Sequence, residues 1–427
     1  MQATAIRRIE AGGLGAAALS FAWFFCVLAA YYVLRPVREQ LAAAVGSTQL
    51  PVFYAATFLA TLALTPLFAW CAVRVPRRVL VPLVYGAFIA CLVAFVPLFL
   101  QPGLLSPRAL GAVFFVWVSV FNLFVVSLFW SVMADVWKPA QARQLFPAIA
   151  LGGTAGAICG PLLTSLLVGA IGVAPLLLVS AGLLLCALAC AAALGRRVDT
   201  QAGGLAVRDA PVPGGMFDGL RQVVAEPFVR NMALLMVLSD CIGTLNYALV
   251  TDWSGAHFHD AVARTRFAAH VDLATNVLQV VVQLTLTRWL LVRRGAGPVI
   301  ACWAVATAAM LAWVALGGAN VVGGLPPVAL ALAVSRGLAY GMAGPARESL
   351  FTRVPRALRY LGKNAVDTAV WRAGDVATAS ALNRLCALGA GVPGLALLGV
   401  GAALAAGALG WRLAAQAHAA PDVDGRA

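Results

Sequence analysis

Charge is what this sequence has least of. Only 11% of its 427 residues are charged, histidine occurs four times, and Lys138 and Lys363 are the only lysines. A soluble domain of this length needs a polar, heavily charged shell, and this composition cannot supply one. The signatures of common chemistries are also missing. There is no His-Glu-x-x-His, no glycine-rich segment followed by Lys-Ser or Lys-Thr, no dinucleotide fingerprint, and no nucleophile set beside a base. The nine cysteines are scattered through apolar segments; Cys186 and Cys190 lie close together, but no zinc spacing or disulfide framework results. These absences argue against an enzyme, a metal site and a bound cofactor. A membrane enzyme or lipid-handling protein stays in view only as an alternative.

What is present is apolar. Hydrophobic residues make up 62% of the chain and the mean hydropathy is +0.91. Continuous apolar runs of roughly 18 or more residues recur along the whole length, each long enough to cross the hydrocarbon core as a helix. A transmembrane β-barrel would alternate instead. The fold class expected is therefore an all-α integral membrane protein. Twelve spans are expected, near residues 18–44, 50–73, 79–101, 109–136, 145–168, 172–194, 230–252, 268–292, 297–317, 325–351, 364–389 and 392–414.

The formal net charge of +14 is carried almost entirely by arginine. Most of it falls in loops on the side of the N-terminus, while the opposite loops hold little beyond Arg108, Arg264 and Arg266. That asymmetry places both termini in the cytoplasm. It also accounts for the basic balance without nucleic acid as a partner. Arg7 and Arg8 precede a first run too long for a cleavable leader, so this run reads as the first membrane helix.

The longest polar stretch, near residues 195–229, is rich in glycine and proline and falls mid-chain. It divides the sequence into an N-terminal half (1–194) and a C-terminal half (230–427), each with six spans. Six spans, a cytoplasmic linker and six more spans is the layout of the major facilitator fold. Two short repeats join the halves. Lys138–Leu145 and Val354–Leu361 match in proline, arginine and leucine at an offset of 216, and Pro36-Val-Arg38-Glu39-Gln-Leu41 matches Pro345-Ala-Arg347-Glu348-Ser-Leu350.

The few charges are concentrated. Ser335–Asp375 holds Arg336, Arg347, Glu348, Lys363, Asp367, Arg372 and Asp375 among others. A charge at the bilayer centre costs roughly 2.5–3.5 kcal/mol or more, so such residues persist only when paired or facing water. Arg336, Tyr340 and Arg347 fall on one helical face at regular α spacing, as do Lys363, Asp367 and Asp375. In span one, Arg35, Arg38 and Glu39 share a face with Tyr31 and Tyr32, and Pro36 loosens the helix beside them. Span four holds Asn122 and, near its cytoplasmic end, Asp135, expected to pair with Lys138 or Arg143. Span seven holds Asp240, Asn246 and Tyr247. Span eight carries an unbroken polar stripe, Asp272, Asn276, Gln279, Gln283 and Thr287, which reads as cavity lining. Gly152, Gly156 and Gly160 of span five form a small-residue stripe for close helix packing. His257, His259, Asp260 and His270 sit in or near an outer loop, where an incidental cluster is favoured over a metal site.

Several of these stretches resemble bacterial relatives of the ATP/ADP translocases, the nucleotide (NTP/NDP) exchange transporters. The resemblance rests on Leu34–Leu41, Ser127–Asp135, Gln141–Phe146, Pro345–Phe351, Lys363–Asp367 and Arg372–Asp375, and so touches both halves. It implies a major facilitator fold, a bacterial inner-membrane location and exchange of ATP for ADP. It also implies that the phosphate-binding basic residues of spans one and ten are matched here by Arg38 and Arg347. The chain departs from the family by having arginine where the exchangers have lysine, and by lacking an acid in residues 118–122 of span four.

The expected activity is secondary active transport of a small organic anion by alternating access. Arg38, Arg347, Arg336, Tyr340, Arg35, Asn122, Asn276, Gln279 and Gln283 are the expected contacts to solute. Glu39, Asp240, Asp272, Glu348, Lys363, Asp367, Arg372 and Asp375 are the expected gate or coupling groups. The competing expectation is proton-coupled transport of another solute, with Asp240, Asp272 or Asp367 titrating. The partners expected are the anionic solute and membrane lipid around a monomer.

Overall fold

Each apolar run becomes a helix because a chain in hydrocarbon must satisfy its backbone polar groups internally. The computed structural model describes residues 2–101, 103–137, 139–199, 225–318, 321–351 and 371–419. The helices are α1 (Gln2–Val45), α2 (Leu50–Arg74), α3 (Arg77–Leu100), α4 (Pro107–Val136), α5 (Pro139–Ile171) and α6 (Ala174–Asp199). They continue with α7 (Pro227–His257), α8 (Ala261–Arg294), α9 (Ala296–Ala315), α10 (residues 327–351), α11 (Trp371–Ala387) and α12 (Val392–Ala419). Ten helices among the described residues are long and apolar enough to cross a membrane. The expected tenth span is α10, and the expected eleventh is described only from Trp371 onward. Large apolar side chains such as Leu59, Leu166, Val292 and Leu397 are exposed, which suits lipid and would be costly in water. The protein is a multi-pass, all-helical membrane protein.

Two details differ from the expectation. The eighth span begins at Ala261 rather than near residue 268, because Asp260 Oδ2 caps the helix by accepting the Ala263 N–H. Arg264 and Arg266 are thus in its first turns and not in a loop. The second difference is that α8 and α10 are not continuous α-helices. Gln283–Thr287 and Ala339–Ala343 are π turns, and the Thr287 hydroxyl donates to the Gly341 carbonyl at 2.7 Å. A π turn inserts one residue and shifts the phase of everything beyond it.

The chain divides into two compact units. One comprises Met1–Val45, Ala56–Ala210 and Phe258–Leu273; the other comprises Gly46–Ala55, Pro211–His257 and Ala274–Ala427. In the first, α1 is the central helix. Its Trp23 stacks edge-on to Phe129 and donates to the Tyr85 hydroxyl at 3.0 Å, and Phe24 stacks on Phe129. The glycine stripe of α5 lies directly on α1. A Cβ at Gly152, Gly156 or Gly160 would meet the backbone of Phe21, Phe25 and Ala29.

In the second unit α7 plays that part. At its end Asp252 accepts both the Ser47 N–H and the Ser47 hydroxyl at 2.7 Å, and Asn383 Nδ2 donates to the Thr48 carbonyl at 2.9 Å. Gly46, at φ 83°, lets the chain turn sharply into this clasp. Asp252→Ala removes both acceptors and is expected to cost about 1 kcal/mol, the usual value of a helix-start cap. A thermal unfolding comparison with Asp252→Asn, which keeps one acceptor, reads this directly.

Candidate functional site

In the first unit the charges gather on one stretch of α1. Pro36 lies inside the helix and contributes no N–H to its hydrogen-bond ladder. Arg35 is buried, and its Nε lies 3.6 Å from Glu39 Oε1 and 3.5 Å from Asp272 Oδ2 on α8. Its guanidinium also sits over the Tyr32 ring. One turn along, Arg38 Nη2 donates to Glu39 Oε1 at 2.6 Å, its Nη1 reaches Ser119 of α4 at 3.5 Å, and its guanidinium lies over the Phe115 ring. Among the described residues, two arginines and two acids thus form a continuous group of balanced formal charge. Side-chain exposure separates the members: 7% for Arg35 and 3% for Asp272, against 13% for Arg38. Arg35 is a closed ion pair, and Arg38 is the member nearer to solvent.

In the second unit one face of α7 meets several of the charged residues that other helices bring, among those described. Met236, Asp240, Thr244 and Tyr247 are spaced four, four and three apart, so they form one stripe. Arg347 meets the Met236 sulfur and lies 3.5 Å from Glu348 Oε1. Trp371 Nε1 donates to Asp240 Oδ1 at 2.7 Å. The Thr244 hydroxyl donates to Asp375 Oδ1 at 3.3 Å, and Arg372 Nη1 lies 3.7 Å from Asp375 Oδ2. Arg336 lies over the Tyr247 ring.

Several expected positions fall elsewhere. Tyr340 is 48% exposed and lies in the π turn at Ala339–Ala343. The span-eight stripe is not one uniform surface. Asp272 and Asn276 are buried, Gln279 is half-buried with its carbonyl against Gly341, and Gln283 opens the π turn and is exposed. Asn122 is half-buried, one turn beyond Ser119. Asp135 pairs with Arg77 of α3 at 2.9 Å, and Lys138, one of its two expected partners, lies outside the described residues. His257 stacks on Trp253 and Asp260 serves as a helix cap, so these side chains do not converge on a cation. Lys363, Asp367 and the side chain of Arg143 lie outside the described residues.

The sequence reading missed Ser119, Phe115, Met236, Thr244 and Trp371. Thr244 was within reach of it, since it lies one turn from Asp240 on the same face. Phe115 and Met236 look like ordinary lipid-phase residues until the fold sets them beside arginines.

No protein-family model matches the chain, and no curated protein does. Solved structures do. The chain is similar to the nucleoside transporter NupG (14% identity, TM-score 0.66, covering 94% of this chain and 98% of that one). It is similar to the POT family transporter PepTSo (12% identity, TM-score 0.66, 94% and 98%). It is also similar to a bacterial homologue of the iron transporter ferroportin (14% identity, TM-score 0.60, 92% and 98%). At these identities the likeness establishes the major facilitator fold and not a substrate.

Proposed function

We propose that the protein is a secondary transporter that moves a small organic anion by alternating access, with both termini in the cytoplasm. The observation that carries this reading is a device present once in each unit. In each, Pro-x-Arg-Glu-x-Leu sets an arginine against the glutamate that follows it, Arg38 on Glu39 and Arg347 on Glu348. Both arginines remain partly open, at 13% and 21% side-chain exposure. A guanidinium fork held by a neighbouring carboxylate can exchange that partner for the phosphate or carboxylate of a solute. The transporter fold supports the reading, as does the resemblance of these segments to nucleotide exchangers. Nucleotide exchange of the ATP/ADP type is accordingly the leading substrate assignment. Proton coupling is the second reading, and the acids on the α7 face favour it.

A thermal-shift screen of the purified protein tests the assignment, using ATP, ADP, inorganic phosphate, carboxylates, nucleosides and neutral solutes. A ligand bound only by the folded state at a hundredfold excess over its Kd adds about 2.7 kcal/mol of stability. ATP or ADP is expected to raise Tm in the wild type and to lose that effect in Arg38→Ala and in Arg347→Ala. A response to uncharged nucleosides alone would remove the anion from the proposal. An anion response unchanged in both variants would remove the two arginines from it.

A further inference from the structure

The fold brings the Asp240 and Asp375 carboxyl groups together: Asp240 Oδ2 lies over Gly374, the neighbour of Asp375, and Thr244, one turn from Asp240, donates to Asp375. Asp240 is on α7, near the middle of a 31-residue helix, and Asp375 is on α11. An ionised carboxylate only accepts hydrogen bonds. Two of them cannot face each other at close range in a largely buried place unless something positive lies between. The other oxygens show how the pair is oriented. Asp240 Oδ1 is held by the Trp371 indole N–H and Asp375 Oδ1 by the Thr244 hydroxyl, both neutral donors. Asp240 Oδ2 is fully buried and accepts no hydrogen bond among the described residues. It lies over Gly374, where a Cβ would sit 3.1 Å from it. A glycine at this place lets the carboxyl rest on the α11 backbone.

Among the described residues the charges around the pair are few. On α11, Arg372 approaches Asp375 but not the orphaned oxygen, at 3.7 Å and with 31% of its side chain exposed. On α7, Cys241 is engaged with Thr378. From α10, Arg347 and Glu348 meet one turn away at Met236, and Arg336 lies two turns away over Tyr247. The turn at Ser47–Gln49 brings Ser47 to Asp252, three turns off. On α12, which touches α7 with Gly399 at Leu245, the titratable Arg412 and His418 come more than three turns beyond that contact.

We infer that Asp240 and Asp375 form a proton-binding site that joins α7 to α11, holding one proton between the two carboxyl groups. The proton sits on Asp240, whose Oδ2 lacks a donor, and its O–H donates to Asp375, which Thr244 and Arg372 already stabilise as a carboxylate. Release of that one proton leaves two carboxylates facing each other with Arg372 as the nearest described cation. Their repulsion then drives α11 away from α7. In this way protonation sets the packing of a helix that carries part of the candidate site. The role of this proton as the coupling ion rests on the transporter reading; the existence of the site does not.

The test is pH-dependent infrared difference spectroscopy on the full-length protein in lipid, with the proton itself as the probe. The wild type is expected to show a carboxylic-acid carbonyl band that titrates as a single group. That band should be lost in Asp240→Asn and in Asp375→Asn. Thr244→Val and Gly374→Ala keep both acids and should shift the band, so the inference stays testable if the asparagine variants do not fold. No such band, or a band untouched by all four substitutions, would overturn it, and a cation would then be what holds the pair. Coupling is read separately, in proteoliposomes with a trapped pH dye. A solute from the thermal screen should move protons with the wild type and not with Asp240→Asn. Solute transport without proton movement overturns the coupling role while leaving the infrared result intact. If no solute is transported at all, the transporter reading fails and the infrared result still decides the site.

Discussion

Asp272→Asn is expected to be among the most damaging single changes in the protein, at about 3–5 kcal/mol, because it removes one partner of a buried ion pair. Asp272 is 3% exposed at its side chain and Arg35 is 7% exposed, so neither can recover its hydration when the other is lost. Glu39, 3.6 Å from Arg35, compensates only in part, since it is shared with Arg38 at 2.6 Å. The double variant Arg35→Gln, Asp272→Asn removes both charges together, and replacing a whole buried pair is often close to neutral. It should recover most of the lost stability. Thermal unfolding of the two single variants and the double variant closes the cycle. Additive losses would show that Arg35 and Asp272 act independently and that the pairing is not what holds α8 to α1.

Gly156→Leu is expected to abolish the folded protein, or to leave it aggregated on size-exclusion chromatography, for a steric reason. A Cβ at Gly156 would press on the Phe25 carbonyl and come within 2.9 Å of the Ala29 N. Those are backbone atoms and cannot rotate away. Overpacking a fixed contact costs typically about 1–3 kcal/mol, and more where the backbone is the obstacle. Gly156→Ala should show the same effect in smaller measure, as a clear fall in Tm. Gly182, where nothing lies within 4 Å of an added Cβ, is the matched control, and Gly182→Ala should be tolerated. If Gly156→Ala and Gly182→Ala unfold together, α5 is not as close to α1 as the stripe implies.

These two predictions stand at different distances from the sequence. The glycine stripe could be read directly, since three small residues four apart on an apolar helix mark a face made for close approach. Its partner could not, because nothing in the stripe names Phe25 or Ala29. Arg35 and Asp272 were each visible as charges too costly to leave unpaired in lipid, yet 237 residues separate them. The sequence alone assigned one to the solute and the other to a gate. The fold places them against each other.

Local pairs were legible because helical periodicity fixes them within a turn. Arg35 with Glu39 and Arg372 with Asp375 follow from spacings of four and three. So was the membrane class, since long apolar runs have no other stable solution. What the tertiary structure alone decided falls under two physical causes. The first is the π turns in α8 and α10, which slip the phase of the residues beyond them by one where regular α spacing expects none. The second is contact between helices distant in the chain: Asp240 with Trp371, Thr244 with Asp375, and Ser47 with Asp252. Each of those polar groups gains from a partner, but only packing chooses which one it gets.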